Sequence, residues 1–252
     1  MVREIDARRI DSENCAMTTT LKKKIHVRLQ SEIPTSFRTK LACDSLDIDI
    51  HKKSIHDLQI DKIEPNEDWT IGVILGASGS GKTTLAKHMF GEDCFQFQAD
   101  LSRPVIDQLP TSLTYDECAA LLSGIGLTSV VCWVRPMYTL SNGQRARAEA
   151  VLQMTHNADL TVIDEWTSVV DRQVAKVMSH ALQKYARRNK KRVVLCSCHY
   201  DILEWVNPSW VIDCNEARFD NCDEKKNDKK NWNSKFDPSQ RKRGNIFQNI
   251  TI

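Results

Sequence analysis

"WTIGVILGASGSGKTTLAKHMFG", residues 69–91, decides the fold. Its first part, Ile71 to Leu75, is a short apolar run without a charge. That is the pattern of a strand covered on both faces. Glycine and serine then carry the chain to Gly81, and a helix-forming stretch opens at Lys82 and stops near Gly91. The loop between them, Gly76-Ala77-Ser78-Gly79-Ser80-Gly81-Lys82-Thr83 with Thr84 behind it, has the spacing G-x-x-x-x-G-K-[ST]. Glycines let successive backbone N–H groups curl inward around anionic oxygens, and the helix adds its positive dipole end.

Outward from this unit, apolar strands alternate with helical patterns. "TYDECAALLSGIG" (114–126) reads as a helix with a glycine stop, and "ADLTVIDEW" (158–166) as a buried strand ending in two acids. "DRQVAKVMSHALQKYARR" (171–188) has helical period, and "KRVVLCSCHYD" (191–201) reads as another buried strand. "CFQFQ" (94–98) alternates like a strand, while "SVVCWV" (129–134) is apolar and ambiguous. Near the N-terminus "KKKIHVRLQ" (22–30) and "SLDIDIHKKSI" (45–55) alternate as strands do. The expected fold is α/β: a P-loop NTPase with a mostly parallel sheet flanked by helices, a small β-rich N-terminal part and a short helical subdomain. The expected division is a mobile leader over 1–20, one domain around the P-loop over 21–216, and a basic polar tail or linker over 217–252.

The 252 residues suffice for a full core, and 41% hydrophobic with 27% charged residues is the balance of a soluble globular chain. A net charge of +2 gives no global attraction to nucleic acid, so any basic surface must be local. No apolar run approaches the roughly 18 residues a membrane-spanning helix needs. Glu4, Asp6, Asp11 and Glu13 argue against a mitochondrial presequence, and nine scattered cysteines without a secretory signal fit reduced thiols in a cytoplasmic protein. Cys196-Ser197-Cys198-His199 has poor metal-ligand spacing and lies in an apparent buried strand.

The P-loop assigns roles. Gly76 through Thr84 would bind a nucleotide's phosphates, Lys82 would reach the β- and γ-phosphates, and Thr83 would offer its hydroxyl to Mg²⁺. Asp164 emerges at the C-terminal edge of its strand, where an open parallel sheet binds ligands, and could hold the metal. Glu165 beside it could deprotonate an attacking water. His199 ends the next strand and could hydrogen-bond a γ-phosphate oxygen. "YTLSNGQRARAEA" (138–150) places a Ser-Asn-Gly turn at a helix start. It reads either as a helix cap or as a second phosphate-binding surface aimed at a nucleotide held by another copy.

The order of these motifs resembles the ABC-class (ATP-binding cassette) ATPases. Leu140-Ser141-Asn142-Gly143-Gln144 is similar to that family's signature, and "DEWTSVVDR" (164–172) resembles its metal-binding strand and D-loop. The resemblance covers about residues 65–213. It implies ATP and Mg²⁺ as cofactors and an ATP-sandwiched head-to-tail homodimer. Ser141, Gly143 and Gln144 would meet the nucleotide of the other copy, and Asp171 would lie at the interface. It also implies a γ-phosphate-sensing glutamine, also a metal ligand, for which Gln108 is chosen over Gln96 and Gln98. Asn142 departs from the usual glycine, but Asn tolerates positive φ. The adenine-stacking aromatic is not evident, with Phe37 as candidate.

"LSNG", "SVVDR" and "SCHYD" resemble in particular small soluble ABC-type ATPases of bacteria and phages, some fused to an acetyltransferase-like domain. Only about thirty residues separate Gln108 from the signature, so the helical part is short. The expected function is a soluble, non-transport ATPase, with a nucleic-acid or DNA-modification partner suggested by the basic tail. The alternatives are the nucleotide-binding subunit of a transporter with a separate permease, and an ATP-gated dimerisation switch with little turnover.

Overall fold

The computed structural model describes residues 23–31, 36–46, 54–63, 65–95, 97–156 and 160–222. The expected leader, Gln96 and the tail beyond Cys222 lie outside these residues.

The central strand β3 (Ile71–Leu75) and the helix α2 (Lys82–Phe90) stand where the opening stretch puts them, and α2 ends on Gly91 at φ 82°. Further β elements are β1 (Lys23–Ser31), β2 (Ser54–Ile63), β4 (Leu160–Ile163), β5 (Arg192–Ser197), β6 (Trp210–Asp213) and β7 (Arg218–Asn221). The remaining helices are α1 (Phe37–Ser45), α3 (Tyr115–Gly124), α4 (Val130–Val134), α5 (Asn142–His156), α6 (Arg172–Arg188) and α7 (Ile202–Val206). The main sheet has the order β4-β5-β3-β6-β7, parallel except for β7. The register sets Leu75 beside both Ser197 and Asp213, and Ile163 beside Leu195. The C-terminal ends of four parallel strands therefore share one edge.

Both faces of that sheet are covered. Ile71, Val73 and Leu75 pack with α3, α5, α6 and α7 through residues such as Leu122, Leu152, Met178 and Ile202. Ile74 points the other way, into a second core with Leu85 of α2. The antiparallel β1–β2 pair closes that second core with Ile25, Val27, Leu58 and Ile60. Gly72 has a packing reason: a Cβ built on it would lie 2.0 Å from the Trp210 ring. Trp210 is buried and meets Trp69 edge-on at 5.4 Å.

Several expectations are corrected. "CFQFQ" forms no strand among its described residues; Asp93–Phe95 is a 3₁₀ turn. Its alternation has another cause, since Phe95 packs into the second core and Phe97 into the first. "SVVCWV" resolves to α4, with Cys132 and Trp133 inward and Val130, Val131 and Val134 exposed. Of "SLDIDIHKKSI", residues 47–53 lie outside the described residues, and strand β2 begins at Ser54. The helix α1 between β1 and β2 was not expected. The last strand, β7, pairs with β6, and its Arg218 binds Asp220 at 2.6 Å.

Candidate functional site

The site begins at the shared strand edge. Gly79 and Gly81 sit at φ 78° and 85°, a conformation side chains disfavour, and Gly81 caps the start of α2. Ala77, Ser78 and Gly79 are exposed, so the loop's concave side is accessible. Lys82 is buried beneath it and donates to the carbonyls of Gly76 (3.0 Å) and Ala77 (2.7 Å). Its ammonium thus lies inside the loop, held by neutral acceptors that an anion would outcompete.

The strand order brings β4 to the same edge. Thr83 Oγ1 donates to Asp164 Oδ2 at 2.6 Å, joining residues 81 positions apart. These are hard oxygen donors of the type Mg²⁺ takes, and Mg²⁺ needs only one or two from protein because phosphate and water complete its shell. Asp164 Oδ1 accepts the Glu165 N–H at 2.9 Å. Glu165 is exposed, and its Oε2 accepts from Ser168 at 2.7 Å. Glu165 and Thr167 hold φ of 54° and 67°, which for β-branched Thr167 is strained.

His199 lies over this turn. Its Nδ1 is 3.3 Å from Thr167 Oγ1, which also accepts from Arg172 Nη1 at 3.4 Å. When Thr167 donates to Nδ1, the ring proton stays on Nε2. Burial, then the Arg172 guanidinium, push the His199 pKa below its ordinary 6.5, so the ring is neutral at physiological pH. Burial pushes Cys196 far up, and Cys214 up to about 12, so both are protonated thiols. Cys198 points out to solvent while Cys196 points in. Among the described residues no group of three or more His, Cys, Asp or Glu converges on one point.

The turn at 140–144 is a capping box. Ser141 Oγ accepts from Gln144 N (3.3 Å), and Gln144 Oε1 accepts from Ser141 N (3.0 Å). Asn142 Oδ1 accepts from Arg145 at 2.8 Å. A Cβ on Gly143 would lie 3.4 Å from both Val169 O and Val170, so the turn packs on the segment preceding α6. Arg147, which sequence reasoning passed over, fastens the turn by donating to Gly143 O (2.9 Å) and Gly126 O (2.6 Å). Asp171 caps α6 through Oδ1, which takes the N–H groups of Gln173 and Val174. Neither reading of the turn loses ground, because a Ser Oγ that accepts a cap bond keeps its own hydrogen to donate.

Gln108 is not brought to Thr83 and Asp164 by any hydrogen bond among the described residues. Its Nε2 donates to Asp100 O at 2.8 Å and its Oε1 accepts from Asp100 N at 2.8 Å, which folds the 100–104 loop. Gln98, the alternative, is exposed and shares with Gln108 a cleft of about 480 Å³, also lined by Phe97 and His156. Phe37 is 82% exposed at the first turn of α1.

Solved structures share this architecture. An RNase-L inhibitor is 20% identical over 62% of this chain and 34% of that one, with a TM-score of 0.52. A dimeric ATP-binding cassette in a post-hydrolysis state with ADP and Pi is 14% identical over 66% of this chain and 92% of that one, with a TM-score of 0.49. No protein-family model and no curated protein sequence matches the chain. The shared feature is the fold: a mostly parallel sheet flanked by helices with a P-loop between β3 and α2, as in P-loop NTPases.

Proposed function

We propose that the protein binds and hydrolyses ATP as an ABC-class ATPase, two copies pairing head to tail around the nucleotide. The observation that carries this is the Thr83–Asp164 contact at 2.6 Å, which joins the P-loop to the acidic end of β4 with Glu165 next in the chain. The loop from Gly76 to Thr84, with Lys82, binds the phosphates. Thr83 and Asp164 would hold Mg²⁺, which would neutralise phosphate charge. Glu165 takes a proton from water as its oxygen bonds to the γ-phosphorus and the bridging bond to the β-phosphate breaks, giving ADP and phosphate. His199 Nε2–H donates to a γ-oxygen. The Ser141 hydroxyl and Gly143 N–H of the second copy reach the same phosphate from across the interface.

Hydrolysis measured against protein concentration tests this, with Lys82→Ala and Ser141→Arg alongside. Specific activity should rise with concentration and both variants should be inactive. A rate independent of concentration that survives Ser141→Arg leaves a monomeric ATPase, and absence of hydrolysis at every concentration removes the enzyme reading. Among the described residues no helix is long and apolar enough to cross a membrane. We read the protein as a soluble, cytoplasmic, non-transport ATPase. The transporter-subunit reading has one feature in its favour: Val130, Val131, Val134 and Tyr138 are exposed on the helical part. Co-fractionation with a membrane protein in the native host would establish it.

A further inference from the structure

His199, Tyr200 and Asp201 are consecutive, and each is tied to a different part of the site. His199 meets Thr167. Tyr200 donates to Asp213 Oδ2 at 3.0 Å and accepts from Asn215 Nδ2 at 3.0 Å. Asn215 Oδ1 in turn accepts the N–H of Ala77, within the P-loop, at 3.1 Å. Asp201 pairs with Arg172 through Nε at 2.9 Å and through Nη2, while the guanidinium lies 5.0 Å over the Trp205 ring.

We propose that this segment is a junction coupling the P-loop to the 165–172 turn, with Tyr200 and Arg172 as positioning residues for His199. The inference rests on the ATPase reading only where it gives His199 a phosphate to face.

Two physical features carry it. On the P-loop side the hydrogen bonds run in one direction: Ala77 N–H to Asn215, Asn215 to Tyr200, Tyr200 to Asp213. Asp213 also takes the Asn215 N–H at 2.9 Å and has no exposed surface. Bonds aligned this way polarise one another, so loss of one weakens the rest. On the other side Thr167 is held at a strained φ of 67° by its neighbours. A strained residue persists only while its surroundings over-determine it, and Arg172 and His199 supply the two side-chain contacts to its hydroxyl, beside the backbone bonds of Trp166 and Ser168. A displacement of Ala77 as the loop takes up an anion would therefore reach Thr167 through Asn215, Tyr200 and His199, of which only His199 faces the phosphate. Neither Tyr200 nor Arg172 is a catalytic residue in this arrangement.

Tyr200→Phe deletes one hydroxyl and keeps the ring. Hydrogen exchange of the nucleotide-free protein should speed up roughly tenfold over both 76–81 and 165–172. Acceleration confined to 200–215 overturns the junction. If Tyr200→Phe does not fold, Asn215→Ala, at an exposed position, cuts the same chain and carries the same two outcomes. In turnover, Tyr200→Phe should lower kcat roughly tenfold at unchanged ATP Kd, and have no further effect in a His199→Ala background. An undiminished loss in that background also overturns it. A wild-type protein with no hydrolysis would remove the ATPase reading, and the exchange result would still decide the junction.

Discussion

Single residues carry much of the constraint here. Gly72 is required because Trp210 occupies the volume a side chain would need. Gly72→Ala should destabilise the protein by about 1–3 kcal/mol through overpacking, read from the urea midpoint. Trp210→Phe in the same chain should recover part of the loss. His199 shows how a neighbour sets a residue's chemistry. Its folded pKa lies below 6.5 because of burial and Arg172. Between the two pKa values the unfolded chain binds a proton that the folded chain refuses, so this contribution is complete above 6.5 and is lost as pH falls below it. Unfolding of wild type and His199→Gln from about pH 7.5 to about pH 5.5 should therefore show wild type losing stability relative to the variant on acidification. These neighbours were not legible in the sequence. Arg172 and Asp201 are 29 positions apart, and no local spacing pairs them.

At the scale of elements, legibility followed local chemistry. β3, α2 and α6 are framed by signals a few residues long: an apolar run, a glycine stop, an Asp171 cap. "CFQFQ" failed for the opposite reason, since Phe95 and Phe97 divide between two cores that only the assembled sheet supplies, and "SVVCWV" stayed ambiguous because three of its valines face outward. β7 is four residues long and owes its existence to β6 beside it. The 140–144 turn combines cap and candidate phosphate donor, and substitution can separate the two. Ser141→Ala should cost about 1 kcal/mol of stability by removing the cap. Ser141→Asp keeps a good N-cap but sets a negative charge where the other copy's γ-phosphate would lie. It should unfold like wild type yet fail to dimerise with ATP, checked by light scattering. Retained ATP-dependent dimerisation in Ser141→Asp would reduce the turn to a cap.

Across the whole molecule, the parallel sheet collects distant loops at one edge while cores on both faces hold its strands in register. That rigidity lets Thr83 and Asp164 meet without any local sequence tie. The proposed head-to-tail dimer belongs to this scale. Glu165→Gln removes the proposed base and leaves the phosphate contacts, so it should accumulate an ATP-bound dimer on size exclusion. A variant that stays monomeric with saturating ATP would sink the sandwich. Sequence by itself determined the α/β class, the P-loop and the candidate residues Asp164, Glu165 and His199. Those signals are short-range: backbone conformation, apolar period and the chemistry of strand ends. Only the tertiary structure decided that Gln108 folds its own loop, that α1 interrupts the N-terminal strands, and that Tyr200 meets Asp213 and Asn215 while Arg172 meets Asp201. Each depends on a partner tens of residues away or on which sheet face a side chain fills, and a one-dimensional pattern carries neither.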